Sequence, residues 1–483
     1  MCTRKRLMTS ALRSFKHDAK YLGFSFYWAW MSLAFFSTAP YGHAENSNAL
    51  VQQAWLWMAG GAIMMRVIHI LLKRRLPVLS ACRPLVVVAT LISMVGASVL
   101  CLSVVPEDIA LGQIMAVAGG AMCGFGACWC TIMWGEAYAG KDAESSFRLI
   151  SLTFVTTALI HFIVIMLPGP LPLIFTVLLY GASFILLTSL MRERREKPEP
   201  TRKAKPPARF APSVLIPLVA IFVYASCGEV FHTLLTIPGQ AADLRAMGTW
   251  YTLGGGLGSL LMLLVAVVAN AFRERRTDFL CLNLSLVLMA VGVMLPQVVP
   301  VSMFVSYAVF GAAFWAFRNM VWTYSAKVVT DTKASPIVVY GVTQNMFAFA
   351  ILFGSPFVRW ITSALHFGEM AWGVVSTVML FVVLVVALAL SVNRQTLWGL
   401  LPETPLPQSG KHLEQRLAEG YGLTPRECEV ALLLARGRSL PYIQDKLYIS
   451  EGTAKSHLKS IYRKLSVNSK QEYLDVIEEI ERR

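Results

Sequence analysis

The chain has 483 residues, 56% of them hydrophobic and 15% charged, and carries 43 Lys/Arg against 28 Asp/Glu for a formal net charge of +15. That length exceeds one ordinary domain, and the composition excludes a soluble globular protein in favour of a membrane protein. The basic excess does not mark a nucleic-acid surface, because residues 1–391 hold 29 Lys/Arg against 16 Asp/Glu while residues 392–483 hold 14 against 12.

Residues 1–20 form a basic N-terminal segment with Arg4, Lys5, Arg6, Arg13, Lys16 and Lys20. The apolar run that follows is of spanning length and rich in Trp and Tyr, so it reads as a retained first span rather than the short core of a cleaved leader. Runs able to cross a bilayer as helices then fall at 21–40, 51–72, 84–105, 109–137, 148–167, 170–191, 213–237, 246–270, 277–296, 300–326, 336–358 and 369–391. Short turns such as Pro168-Gly169-Pro170 and Pro238-Gly239-Gln240 separate many of them.

Charge placement orients these twelve spans. With the N-terminus inside, successive inner segments hold six, four, two, eight, three and two Lys/Arg, whereas the outer side holds Arg245 and Arg359. This is the asymmetry of the positive-inside rule, and it places both termini in the cytoplasm. The cytoplasmic membrane of a bacterium is the expected location. Residues 192–212 (RERREKPEPTRKAKPPARFAP) form a basic, Pro-rich inner loop that divides the membrane part into halves at 21–191 and 213–391.

This 6 + 6 arrangement resembles the major facilitator superfamily of transporters. The resemblance implies an all-α polytopic bundle of twelve transmembrane helices. The superfamily's Gly/Asp/Arg loop signature between its second and third spans is poorly kept: residues 73–83 read KRRLPVLSACR, with basic residues but neither Gly nor Asp. That departure weighs against active transport more than against the fold.

Ionisable side chains at bilayer depth need partners or a wet cavity. The candidates are Arg66 and His69 in the second span, Glu136, His161, Glu229, His232, Arg318 and Asn319, with Gln344 and Asn345 as polar additions. Glu229 and Arg318 could pair with each other or contact an anionic or polar ligand; structural pairing between spans is the competing reading. Glu136, Arg66 and His69 could instead lie at the cytoplasmic edge. The nine cysteines show no disulfide-framework spacing. Cys123, Cys128 and Cys130 lie among Gly119, Gly120, Gly124 and Gly126, where small residues for close helix packing explain them better than a metal site. Gly254-Gly255-Gly256-x-Gly258 follows no strand and reads as packing too, not as a nucleotide loop. Paired carboxylates, a nucleophile triad and a phosphate loop are all missing from the sequence, so no enzymatic activity, cofactor or metal is expected.

Residues 392–420 form a linker which, as a coil, spans roughly 30 Å. The polar domain at 421–483 then shows four helix starts. Thr424 and Glu427 form a Thr-x-x-Glu capping box with Pro425 at the first helical position, and Gly437 suits the stop. Ser439 opens a second helix with Ile443 and Leu447 on one stripe. Ser450 caps a third helix, and Ser469 with Glu472 repeats the capping box for a fourth. On the third helix Ala454, Leu458, Ile461, Tyr462 and Leu465 should pack inward. Thr453, Lys455, Ser456, Lys459, Arg463 and Lys464 point elsewhere. Across residues 421–470 there are nine Lys/Arg against four Asp/Glu. A basic helix held against a second helix is the pattern of a helix-turn-helix that reads the major groove.

The segment resembles the LuxR/FixJ-type helix-turn-helix of bacterial transcription regulators. The framework is carried by Leu423-Thr424-x-Arg426-Glu427-x-Glu429-Val430, Ala435-x-Gly437, Ile443, Leu447-x-Ile449-Ser450-x-x-Thr453-x-Lys455-x-His457, Ile461-Tyr462-x-Lys464-Leu465 and Val467. The resemblance implies a four-helix domain that binds double-stranded promoter DNA as a homodimer. By the same resemblance Lys455, Ser456 and Lys459 face bases, and Thr453, Arg463 and Lys464 hold phosphates, with His457 serving either a phosphate or helix packing. Gln444, Ala454 and Ser469-Lys470 depart from the usual residues without removing the basic face.

The whole reads as a membrane-bound one-component regulator whose bundle senses an unknown small molecule or membrane signal. No receiver-like soluble domain precedes the DNA-binding part, so aspartate phosphorylation is not the expected trigger. The alternative is a transporter with an autoregulatory DNA-binding tail.

Overall fold

The computed structural model describes residues 18–42, 47–72, 83–139, 141, 143–196, 212–235, 244–271, 277–298, 303–332, 334–364, 374–375, 377–382, 385, 417–418, 420–435, 440–447, 449–467, 469, 472–474 and 476–477. The chain forms two compact units, Met1–Leu400 and Leu401–Arg483. Among the described residues every regular element is helical.

The first unit contains α1 (Phe24–Phe36), α2 (Ser47–Leu72), α3 (Arg83–Cys101), α4 (Ile109–Tyr138), α5 (Ala143–Ile165), α6 (Leu171–Glu196), α7 (Pro212–Leu235), α8 (Leu244–Ala271), α9 (Thr277–Val298), α10 (Met303–Thr332) and α11 (Pro336–Ala364). They fall on the first eleven predicted spans. Most of the twelfth, 369–391, lies outside the described residues, as do most of the central loop, most of the linker and residues 1–17.

Among the described residues seven helices are long and apolar enough to cross a membrane. Helix α10 has the length, but Arg318 and Asn319 interrupt its apolar run. Outward positions such as Leu71, Val105, Ile163 and Ile185 are 75%, 70%, 61% and 70% exposed. An apolar face of that extent is stable against lipid and costly against water.

Helices α1 to α6 meet α7 to α11 chiefly where α2 packs on α11 and α5 on α8. Small residues permit the approach of α8 to α5, where a Cβ at Gly256 would lie 2.6 Å from Ala158 Cβ, and likewise that of α8 to α10. A Cβ at Gly258 on α8 would lie 2.5 Å from Ala312 O on α10, and one at Gly254 would strike Ala308 O one turn away. The glycine cluster at 254–258 is therefore a helix-packing motif in the midst of α8. Cys123, Cys128 and Cys130 are buried along α4; Cys128 Sγ lies 3.9 Å from His69 Nδ1. Among the described residues no three metal-ligating side chains converge.

The second unit contains α12 (Pro425–Ala435), α13 (Leu440–Leu447) and α14 (Glu451–Leu465), with residues 472–474 and 476–477 also helical. Leu423, Val430, Leu434, Ile443, Ile461, Leu465 and Tyr473 form its core. The capping signals in the sequence act as anticipated. Thr424 N donates to Glu427 Oε2 at 2.8 Å and Glu427 N to Thr424 Oγ1 at 3.3 Å. Ser450 Oγ accepts from Thr453 N at 3.2 Å, and Ser469 Oγ accepts from Glu472 N at 3.1 Å. Gly437 and Ser439 lie outside the described residues.

Helix α14 ends in a Schellman turn: Val467 N donates to Tyr462 O and Ser466 N to Arg463 O. Ser466 holds a left-handed conformation at φ 56°, ψ 39°, where an L side chain is strained and glycine is not. Ser466→Gly is expected to stabilise this unit by about 0.5 kcal/mol, the relieved strain being partly offset by the freer unfolded chain. Slower hydrogen exchange over the last turn of α14 would show it.

Candidate DNA-binding surface and intramembrane cavity

Helix α14 divides its side chains as its periodicity predicts. Ala454, Ile461 and Leu465 are buried, and Leu458 and Tyr462 are partly so; Thr453, Lys455, Ser456, Lys459 and Arg463 are exposed, while His457 is half-buried. Lys455 Nζ lies 2.7 Å from Glu451 Oε1 one turn earlier, with both side chains about two-thirds in solvent. Hydrogen bonding to Lys455 holds the Glu451 carboxyl below its usual range.

Lys464 differs from the other cations of the helix. Its Nζ donates to Glu427 Oε2 at 2.7 Å and to Gly422 O at 2.8 Å. It clamps the start of α12 to the end of α14, so a phosphate contact would compete with that clamp. Helical spacing hinted at this, since Lys464 follows Ile461 by three residues and flanks the buried stripe. Arg426, given no role from the sequence beyond its place in the motif, donates to Leu447 O at 2.5 Å and to Glu429 Oε2 at 2.5 Å. It thereby fixes the end of α13, the point where the chain turns into α14. A cation in the first turn of a helix is unfavourable without such a partner, and that was its one sequence signal.

Glu427 is nearly buried. Desolvation opposes its charge, but hydrogen bonds from Lys464, Ser460 and Thr424 outweigh it and hold the carboxyl down to about 2. Because the folded value lies below the ordinary 4.5, its contribution to stability is complete above that value and is lost as pH falls toward 2. Hydrogen exchange in the full chain should accelerate in α12 and α14 across this acid range. Glu427→Gln should cost about 2 kcal/mol at neutral pH and flatten the dependence.

In the membrane unit most of the predicted polar residues separate into two groups, while His69 and Glu136 are buried outside both. Asn319 Nδ2 donates to Ser151 Oγ at 2.5 Å and its Oδ1 accepts from Thr323. His161 Nδ1 and Ser32 Oγ are hydrogen-bonded at 2.8 Å. Asn319 and His161 link helices and line neither cavity, although His161's partner Ser32 does.

The other group surrounds two adjoining cavities of about 50 and 40 Å³. Arg66 and Gln344 line the first, Glu229 and His232 the second, and Arg318 both. Arg66 is buried at 5% exposure. Its Nη1 donates to Asn345 Oδ1 at 3.2 Å and Gln344 O at 3.5 Å. His232 Nδ1 lies 2.5 Å from Tyr307 Oη. The ion pair envisaged between Glu229 and Arg318 is not formed. Glu229 Oε2 accepts from Trp55 Nε1 at 3.4 Å, whereas the Arg318 guanidinium lies between the Trp28 and Phe347 rings at 4.5 and 4.4 Å. The sequence did not reveal these aromatic walls, which come from α1 and α11.

Residues 422–477 match the family described as bacterial regulatory proteins, luxR family. Over 48 residues, 10% of its length, the chain is 48% identical to the transcriptional regulatory protein DegU of Brevibacillus brevis, and it spans 20% of that protein. Among solved structures, a bacterial homologue of the iron transporter ferroportin, in an outward-facing state with soaked iron, has a TM-score of 0.54 at 12% identity. The similarity covers 76% of this chain and 96% of that one. The Escherichia coli fucose:proton symporter FucP has a TM-score of 0.46 at 13% identity, over 77% of this chain and 97% of that one. The chain is thus a membrane protein of transporter-like fold that carries a LuxR-type helix-turn-helix DNA-binding domain at residues 422–477.

Proposed function

We propose that the protein is a membrane-bound one-component transcription regulator: the bundle senses a small molecule and the C-terminal domain binds promoter DNA. One observation carries this reading, namely that a single chain joins a LuxR-type DNA-binding domain to a transporter-like bundle with a polar, aromatic-walled cavity. In this reading the protein lies in the bacterial cytoplasmic membrane with both termini inside. Lys455, Ser456 and Lys459 reach base edges, Thr453 and Arg463 hold phosphates, His457 sits at the margin, and Lys464 supports the helix. Ligand binding favours one arrangement of the two halves, as any signal requires. The residues at 392–420 relay that bias to pairing of two DNA-binding domains on adjacent half-sites.

Chromatin immunoprecipitation with the tagged full-length protein tests the reading. A few sharp peaks are expected. Absence of enrichment across growth conditions, together with energised solute flux in reconstituted vesicles, would replace it with a transporter bearing a regulatory tail.

A further inference from the structure

We infer that the paired cavities bind a small aromatic carboxylate, its anionic end held by Arg66 and Arg318 and its flat body lying against the aromatic wall. The signalling consequence rests on the sensor reading above; the binding itself does not.

Of the buried polar atoms that lack a hydrogen-bond partner among the described residues, four are donors grouped at one place: Trp28 Nε1, Arg66 Nε, Arg318 Nε and Gln344 Nε2. All four residues line the first cavity. Trp28, Arg66 and Gln344 are 4%, 5% and 2% exposed, so bulk water does not serve them. Indole and guanidinium nitrogens donate and never accept. The site is therefore complementary to a group rich in lone pairs. Among the described residues neither arginine forms an ion pair; Arg66 uses neutral amide oxygens, and Arg318 uses ring faces. Two uncompensated cations at membrane depth are costly, and one bound anion would offset both.

The class of anion follows from the surroundings. A guanidinium fork matches a carboxylate in plane and spacing. The planar Arg318 group already stacks between Trp28 and Phe347, and Tyr251 and Trp315 complete a wall suited to a second flat system. At roughly 10–15 Å³ per water position, the two cavities together hold about six to nine such positions, room for a single-ring acid and little more.

The test uses the full-length protein in phosphatidylcholine nanodiscs, which excludes anionic lipid headgroups from the site. Benzoate is titrated against its neutral isostere benzamide by calorimetry. Benzoate should bind saturably and benzamide at least about 30-fold more weakly. Arg318→Gln should remove that preference. Trp28→Phe keeps an aromatic ring and deletes one donor, so it should weaken benzoate several-fold and narrow its preference over benzamide; it serves if the arginine variant does not fold. Absence of benzoate binding, equal binding of the two probes, or a preference unchanged by both substitutions would overturn the inference. Promoter occupancy is read in parallel. Arginine-dependent benzoate binding without a change in occupancy upholds the site and removes the sensor reading. A change in occupancy driven equally by benzamide does the reverse.

Discussion

Replacing Lys455 and Lys459 together with alanine should lower the affinity of the full-length protein for its promoter by at least about 100-fold at physiological salt, with membrane insertion unchanged. Both side chains stand on the exposed face of α14. Each base contact by a cation contributes about 1–3 kcal/mol and its loss relaxes sequence preference, so cognate and non-cognate DNA should be bound more nearly alike. The stability of the domain should hardly move, because the Lys455–Glu451 pair is solvated and such pairs contribute little. Lys464→Ala is the informative contrast. That side chain bonds Glu427 and Gly422 O, so its loss should loosen α12 against α14 while leaving the preference for cognate over non-cognate DNA almost intact. Anisotropy titrations on cognate and non-cognate DNA separate the two effects. Unchanged affinity in the double variant would remove α14 as the reading helix.

The contrast also shows which features were legible in the sequence. The helices of both units, the caps at Thr424 and Ser450 and the inward stripe of α14 all follow from local rules: spanning length, capping boxes and 3.6-residue periodicity. A local rule cannot name a partner distant in the chain. Lys464 carried the same charge as Lys459, and its bond to Glu427 depends on how α12 meets α14. Within the bundle, sequence identified Arg66, Glu229, His232, Arg318 and Gln344 as polar residues at depth, because charge in an apolar run is conspicuous. It could not tell that Asn319 and His161 would bridge helices, nor that Arg318 would meet ring faces instead of Glu229. Trp28 and Phe347 were invisible as cavity walls, since an aromatic residue facing a cavity and one facing lipid look alike in an apolar run.

Gly124→Val should prevent the bundle from assembling, whereas Gly60→Val, in the neighbouring helix, should be tolerated. On α4 a Cβ at Gly124 would strike Met58 O and lie 2.9 Å from Ala62 N; one turn earlier, a Cβ at Gly120 would lie 2.5 Å from Ala54 O. The obstacles are backbone atoms of α2, which cannot swing aside as a side chain can. Helices α2 and α4 therefore touch at backbone distance, and lipid offers no hydrophobic drive to restore contact once they are wedged apart. Overpacking of this kind costs about 1–3 kcal/mol where neighbours can relax and more where they cannot. Gly60 faces open space with nothing within 4 Å, so the same valine there tests composition without the clash. The readout is the yield of monodisperse protein in detergent. Partial rescue of Gly124→Val at low temperature would be equally telling: Arg66 on α2 and Thr131 on α4 line one cavity, so a surviving fraction should lose benzoate binding before the DNA-binding domain loses its affinity.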